Sequence, residues 1–183
     1  FKEPTEEDIL QVSKIVGADK TPDEAKNEFN TGKRIIGIAS GKGGVGKSTV
    51  ATGLALSLAQ KGLKVGLLDI DITGPNVPKM MGLDGRRLNV EGGRIHPAEG
   101  HLGVKVISMA FLLEDEDSPV VWRGPIKLGA IQQFIGDVEW GQLDYLIIDF
   151  PPGTSDEPLT VAQSLPDIDG MVIGGHSDVG MVP

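Results

Sequence analysis

Gly41-Lys-Gly-Gly-Val-Gly-Lys-Ser-Thr49 constrains the fold of this chain more than any other stretch. It contains the pattern G-x-x-x-x-G-K-[ST], with an additional lysine, Lys42, inside the loop. A loop of this kind holds phosphate oxygens with main-chain N–H groups, and its glycines permit the backbone turns that aim those groups inward. It therefore needs a strand to deliver it and a helix to leave it. Both flanks agree. Arg34-Ile-Ile-Gly-Ile-Ala-Ser40 reads as a buried strand, and Val50, Leu54, Ala55, Leu58 and Ala59 recur at helical spacing until Gly62 ends the run. The order strand, glycine loop, helix N-terminus is that of an anion site. Within it, Gly41, Gly43, Gly44, Val45, Gly46, Lys47, Ser48 and Thr49 are the expected nucleotide-binding residues, and Lys42 either joins them or is a solvated loop lysine, which the pattern alone leaves open. Lys47 would place a cation at the β- and γ-phosphates, and the Ser48 hydroxyl is the expected Mg²⁺ ligand.

From Arg34 onward, short apolar runs alternate with helical patterns. Lys64–Asp69, Val104–Ser108, Tyr145–Asp149 and Gly170–Gly174 read as further strands. Val50–Lys61, Ile126–Phe134 and Leu159–Ser164 read as helices between them. The alternation predicts an α/β fold, a mainly parallel sheet with helices on both faces. Ligands of such sheets bind beyond the carboxyl ends of the strands. Two of those ends carry aspartates: Val65-Gly-Leu-Leu-Asp-Ile-Asp71, with Asp69 and Asp71, and Leu146-Ile-Ile-Asp149, followed by Phe-Pro-Pro-Gly-Thr154. A buried strand holds a terminal carboxylate rigidly beside a hydrated Mg²⁺, so Asp71 and Asp149 join Ser48 as candidate metal residues.

These motifs resemble, in combination, the deviant Walker A ATPases related to MinD and ParA. They are most similar to the Mrp/ApbC group of iron–sulfur cluster carrier ATPases, which also have segments like Trp122-Arg-Gly-Pro125 and Gly129-Ala-Ile-Gln-Gln133. The resemblance covers about residues 33–173 and implies a P-loop NTPase of the SIMIBI, deviant Walker A type. It implies catalytic roles for Lys42, Lys47 and Asp71: Lys42 reaching across a homodimer to the partner's phosphates, Asp71 orienting the attacking water. Asp149 would contact Mg²⁺ through water, Asp69 would stand behind these groups, and the Gly153 backbone N–H would sense a γ-phosphate. The implied function is an ATP- and Mg²⁺-dependent dimeric switch, slow in hydrolysis, that assists iron–sulfur cluster assembly or transfer to client or scaffold proteins. The alternatives are a nucleotide-gated scaffold with little turnover and a MinD/ParA-like positioning ATPase.

Composition sorts these alternatives. A formal net charge of −9 argues against a DNA backbone partner, and no basic amphipathic helix or apolar run of about 20 residues points to a membrane. The expectation is a cytoplasmic protein without nucleic-acid or membrane partners. The family carries its cluster on a Cys-x-x-Cys motif, whereas this chain has no cysteine, so no residue here is a cluster ligand. After Gly174 it reads Gly-His-Ser-Asp-Val-Gly-Met-Val-Pro183 where the family has a Thr-Thr-Pro-Gln-like segment. The expected organisation is a polar arm at 1–32 and a P-loop ATPase domain at 33–183, C-terminally incomplete. His96, His101 and His176 lack metal-ligand spacing and read as surface or turn residues, and Glu114-Asp-Glu-Asp117 reads as a solvated acidic loop. Pro125 marks the first turn of a helix, with Arg123 open to phosphate, a partner subunit or a structural salt bridge.

Overall fold

The computed structural model describes residues 33–71, 74–91, 94–112, 138–153 and 168–175. The arm at 1–32, the predicted helices Ile126–Phe134 and Leu159–Ser164, the runs at 114–117 and 122–125, and His176 lie outside them. In chain order the described strands and α-helices are β1 (Arg34–Ser40), α1 (Lys47–Gln60), β2 (Val65–Asp69), α2 (Val77–Met80), β3 (Asn89–Glu91), β4 (Arg94–His96), β5 (Ala98–Glu99), β6 (Lys105–Ser108), β7 (Tyr145–Asp149) and β8 (Gly170–Gly174), with 3₁₀ turns at His101–Gly103 and Met109–Leu112. The five strands read from the sequence are all present and mutually parallel, in the order β6-β2-β7-β1-β8. The short β5 adds antiparallel to β6 at one edge, and β3 pairs with β4 in a separate two-stranded ribbon. Neither β5 nor the ribbon was expected: runs of two or three residues, largely exposed, carry no hydrophobic period to read.

Burial on two faces explains why the central strands are apolar throughout. Every residue of β2 is buried, and so are four of the five in β7. On one face Ile38, Leu67, Val106 and Ile147 pack with Ala51 and Ala55 of α1 and with Val77 and Met81 around α2. On the other, Ile35, Leu68, Ile107, Leu146, Ile148 and Phe150 pack with Trp140 and Leu143. Gly66 makes that second layer possible: a Cβ there would stand 2.7 Å from Leu143 Cδ1 and 3.0 Å from Trp140 Cε3.

Helix α1 starts at Lys47, three residues before the predicted Val50, because Lys47, Ser48 and Thr49 are already helical. Of the expected face, Ala55 is fully buried and Leu54, Leu58 and Ala59 pack partly buried against the core. Lys47, Ala51 and Ala55, spaced i, i+4, i+8, turn inward together with Thr52, while Val50 is 46% exposed. Small alanines let the helix lie close over the sheet. At its other end Gly62, with φ 81°, donates to the Ala59 carbonyl while Leu63 N–H reaches Leu58, the paired closure of a glycine C-terminal cap.

The register aligns the strand ends. Asp149 lies opposite Ile38 on one side and Asp69 on the other, and Asp69 lies opposite Ser108. Three neighbouring strands thus present polar side chains on one rung at the carboxyl edge of the sheet.

Candidate functional site: a phosphate loop and a buried carboxylate rung

Gly44 (φ 75°) and Gly46 (φ 86°) take the left-handed backbone region, which carries the chain from β1 around into α1. Gly46 is the residue that opens the helix. It provides no side-chain cap, and no acidic residue occupies the first turn. The first-turn N–H groups and the positive end of a 14-residue helix are thereby left for an external anion. Gly41, Lys42, Gly43, Gly44 and Gly46 are exposed, Val45 and Ser48 are half-buried, and Thr49 is exposed. Behind this loop Ser40 is 3% exposed. Its hydroxyl donates to the Lys42 carbonyl at 2.9 Å and so fixes the backbone of the additional lysine.

Lys47 behaves differently from the rest of the loop. It is 7% exposed, and its ammonium lies 2.6 Å from Asp149 Oδ1 and 3.6 Å from Asp71 Oδ2. The structure therefore brings three predicted residues from α1, the end of β7 and the segment after β2 into one buried cluster. Asp69 completes it from the end of β2. Its Oδ1 accepts the Asp71 N–H at 3.1 Å, and its Oδ2 accepts the Ser108 hydroxyl at 2.9 Å. Asp71 Oδ1 accepts the Gly74 N–H at 3.3 Å.

The charges are unbalanced. Asp69, Asp71 and Asp149 face one ammonium, so burial acts on the carboxylates. Asp69 is pushed up to about 7, first by burial and then by the Asp149 charge, against the Asp71 N–H and the Ser108 hydroxyl. Asp149 is raised chiefly by burial, with Lys47 and the Ser48 hydroxyl pulling it back. Its Oδ2 is buried with no hydrogen-bond partner among the described residues. A carboxylate oxygen left so, beside the Ser48 hydroxyl and in a cluster short of positive charge, fits a divalent cation. Among the described residues no group of three His, Cys, Asp or Glu side chains forms a metal cage.

Gly153, the expected γ-phosphate sensor, has φ 124° and donates its N–H to the Ser40 carbonyl at 2.9 Å. The loop after β7 is thus joined to the strand that feeds the phosphate loop. Phe150, fully buried, roots that loop: a Cβ on Gly37 would come within 2.9 Å of its ring. His101 is exposed in a turn against Gly82, and His96 pairs at 3.8 Å with Glu139, both away from the rung. Two buried serines, Ser40 and Ser108, were not singled out from sequence. Their signal is positional, since each ends a strand of the parallel sheet.

Comparison with known proteins agrees with this geometry. A ParA family model described as the NUBPL iron-transfer P-loop NTPase matches residues 31–181. The iron–sulfur cluster carrier protein of Saccharolobus solfataricus is 57% identical over 141 residues, covering 77% of this chain and 48% of that protein. That of Methanocaldococcus jannaschii is 55% identical over 141 residues, covering 77% and 49%. Among solved structures, a nucleotide-binding protein from Archaeoglobus fulgidus in complex with ADP, with cobalt found in it, gives a TM-score of 0.73 at 42% identity, covering 84% of this chain and 58% of that one. The chain spans about half the length of the curated relatives it matches. Among its described residues no helix is long and apolar enough to cross a membrane. A glycine loop opening an uncapped helix, a buried lysine among strand-end aspartates, and these likenesses lead to one assignment: the chain belongs to the ParA-type family of NUBPL iron-transfer P-loop NTPases.

Proposed function

We propose that this chain is the nucleotide switch of an iron–sulfur cluster carrier: it binds MgATP at the carboxyl edge of its sheet, hydrolyses it slowly, and works as a homodimer with nucleotide at the interface. The observation that carries this reading is Lys47, held 2.6 Å from Asp149 in the first turn of a helix whose N–H groups are uncapped. A buried ammonium between carboxylates is a cation in store. When a triphosphate enters the loop, Lys47 exchanges Asp149 and Asp71 for β- and γ-phosphate oxygens, and the Gly41–Thr49 backbone receives the remaining charge.

Mg²⁺, when bound, neutralises charge on the phosphates; Ser48, Asp149 and Asp71 are the residues that would hold it with its waters. Asp71 accepts a hydrogen bond from a water and aligns it with the γ-phosphorus. The water oxygen forms the new bond to phosphorus as the bond to the β,γ-bridging oxygen breaks, and the displaced diphosphate leaves on that oxygen. Lys47, and Lys42 from the second subunit, stabilise the charge that develops. To sense the γ-phosphate, the Gly153 N–H must leave the Ser40 carbonyl, so nucleotide state and the position of this loop are exclusive alternatives. Loss of phosphate then loosens the dimer and releases cargo.

The relatives are iron–sulfur cluster carriers by name. With no cysteine here, the cluster ligands of such a carrier lie outside these residues, and the cluster's donors and recipients are client or scaffold proteins. A cytoplasmic location goes with this reading. Its test is phosphate release by the full-length protein. Slow Mg²⁺-dependent hydrolysis, abolished in Lys47→Ala and Asp71→Ala, is expected; wild-type rates in either variant would contradict it. MgATP binding without phosphate release would favour a nucleotide-gated scaffold.

A further inference from the structure

We infer that Ser108 is a positioning residue for the hydrolytic step, setting the place of Asp71 through Asp69. The inference rests on the hydrolysis reading above and assigns a role to a residue that belongs to none of the loop motifs. Ser108 is the last residue of β6 and is 0% exposed, on the same rung as Asp69. Its Oγ lies 2.9 Å from Asp69 Oδ2 and 3.1 Å from the Ala110 N–H. The Ala110 amide can only donate, so Oγ accepts there, and with Asp69 ionised the hydroxyl proton goes to the carboxylate.

Asp69 is thereby used at both oxygens: Oδ2 accepts the serine hydroxyl and Oδ1 accepts the Asp71 N–H. Rotation of the carboxylate about its Cβ–Cγ bond would break both bonds at once. What this clamp holds is the backbone of Asp71, two residues past the end of β2. The Asp71 carboxylate, 3.6 Å from Lys47, inherits its position from that amide. Ser108 touches neither Lys47 nor Asp149 by any bond of the cluster, so it acts on orientation rather than on charge. Without its hydroxyl, Asp69 Oδ2 is a buried acceptor without its partner, the carboxylate is free to turn, and Asp71 loses its alignment. An error of about 1 Å in an aligning group costs on the order of 10²-fold in rate.

The serine also receives the Ala110 N–H at the start of the turn after β6, a purely structural duty. The experiment has to separate the two. Steady-state hydrolysis, affinity for a non-hydrolysable ATP analogue and thermal unfolding are measured on the full-length wild type, Ser108→Ala and Ser108→Cys. Cysteine is close in size and offers a weak S–H donor in place of the hydroxyl. The expected result is a kcat lowered about 10- to 100-fold in Ser108→Ala and by an intermediate factor in Ser108→Cys, with analogue affinity within about twofold of wild type in both. A wild-type kcat in folded Ser108→Ala overturns the proposal. Loss of analogue affinity in step with kcat overturns it too, since that marks a general disturbance of the site. If Ser108→Ala does not fold, Ser108→Cys decides: a wild-type kcat overturns the proposal and a selective kcat loss supports it. Absence of phosphate release from the wild type would remove the hydrolysis reading and this role with it, an outcome distinct from wild-type turnover that Ser108→Ala leaves unchanged.

Discussion

At the amino ends of the parallel strands, Asp144 and Asp169 each fold a carboxylate oxygen onto a backbone N–H, that of Lys64 and that of Ile35, both at 2.7 Å. At the carboxyl ends, Asp69, Asp71 and Asp149 are buried around a single lysine. The first pair is exposed, and each backbone it touches answers with a bond of its own: Asp144 N–H to Lys64 O at 2.8 Å, Asp169 N–H to Ile35 O at 2.9 Å. These aspartates end a ladder and stabilise it. The second set does the opposite. Its charges are crowded out of water, Asp69 is driven up to about 7, and one oxygen of Asp149 has no partner among the described residues. The same side chain in one parallel sheet closes the fold at one end and leaves it chemically unfinished at the other, β7 being preceded by one such aspartate and ended by another. An unfinished polar cluster in a well-packed sheet is what a ligand completes.

The contrast is breakable by substitution. Asp71→Ala is expected to lower kcat by about 10²-fold or more while MgATP still binds, the signature of a group needed in the transition state. Asp144→Ala, five residues before the rung at Asp149, should leave turnover near wild type; a matching loss of kcat there would erase the distinction between the two ends. Asp144→Ala and Asp169→Ala should instead lower unfolding free energy by about 1–2 kcal/mol each, read by denaturant titration. The smallest effect concerns Lys33, next to β1, whose ammonium is brought down from 10.5 to about 8 by burial. Between those pH values the unfolded chain holds a proton that the native chain has released, so stability rises with pH across that window. Lys33→Gln should flatten that slope, measured as unfolding midpoints from pH 7.5 to 10.5; an unchanged slope would assign it to other groups.

Much of the carboxyl edge was legible because its chemistry is written in short stretches. The Gly41–Thr49 loop fixes a strand before it and a helix after it, and Leu-Leu-Asp69 and Ile-Ile-Asp149 announce strands ending in carboxylates. What sequence could not supply is registry. That Asp149, Asp69 and Ser108 share one rung depends on β7 inserting between β1 and β2, a long-range pairing with no local signal. The capping roles of Asp144 and Asp169 were invisible for the same reason, since each reaches a strand distant in sequence: Lys64 is 80 residues from Asp144, and Ile35 is 134 from Asp169. Helix α1 was legible in part. Of the face read as Val50, Leu54, Ala55, Leu58 and Ala59, Ala55 is fully buried and Leu54, Leu58 and Ala59 pack partly buried against the core, whereas Val50 is exposed and Lys47, Ala51 and Thr52 are buried instead.

The central claim is that the carboxyl edge is a nucleotide site completed by Lys47. Calorimetric titration of MgATP onto the full-length protein tests it most directly. Saturable binding at one site per chain is expected, lost or weakened at least about tenfold in Lys47→Ala, because the stored cation can no longer transfer to phosphate. Absence of binding to the wild type, or binding that Lys47→Ala leaves untouched, would contradict it.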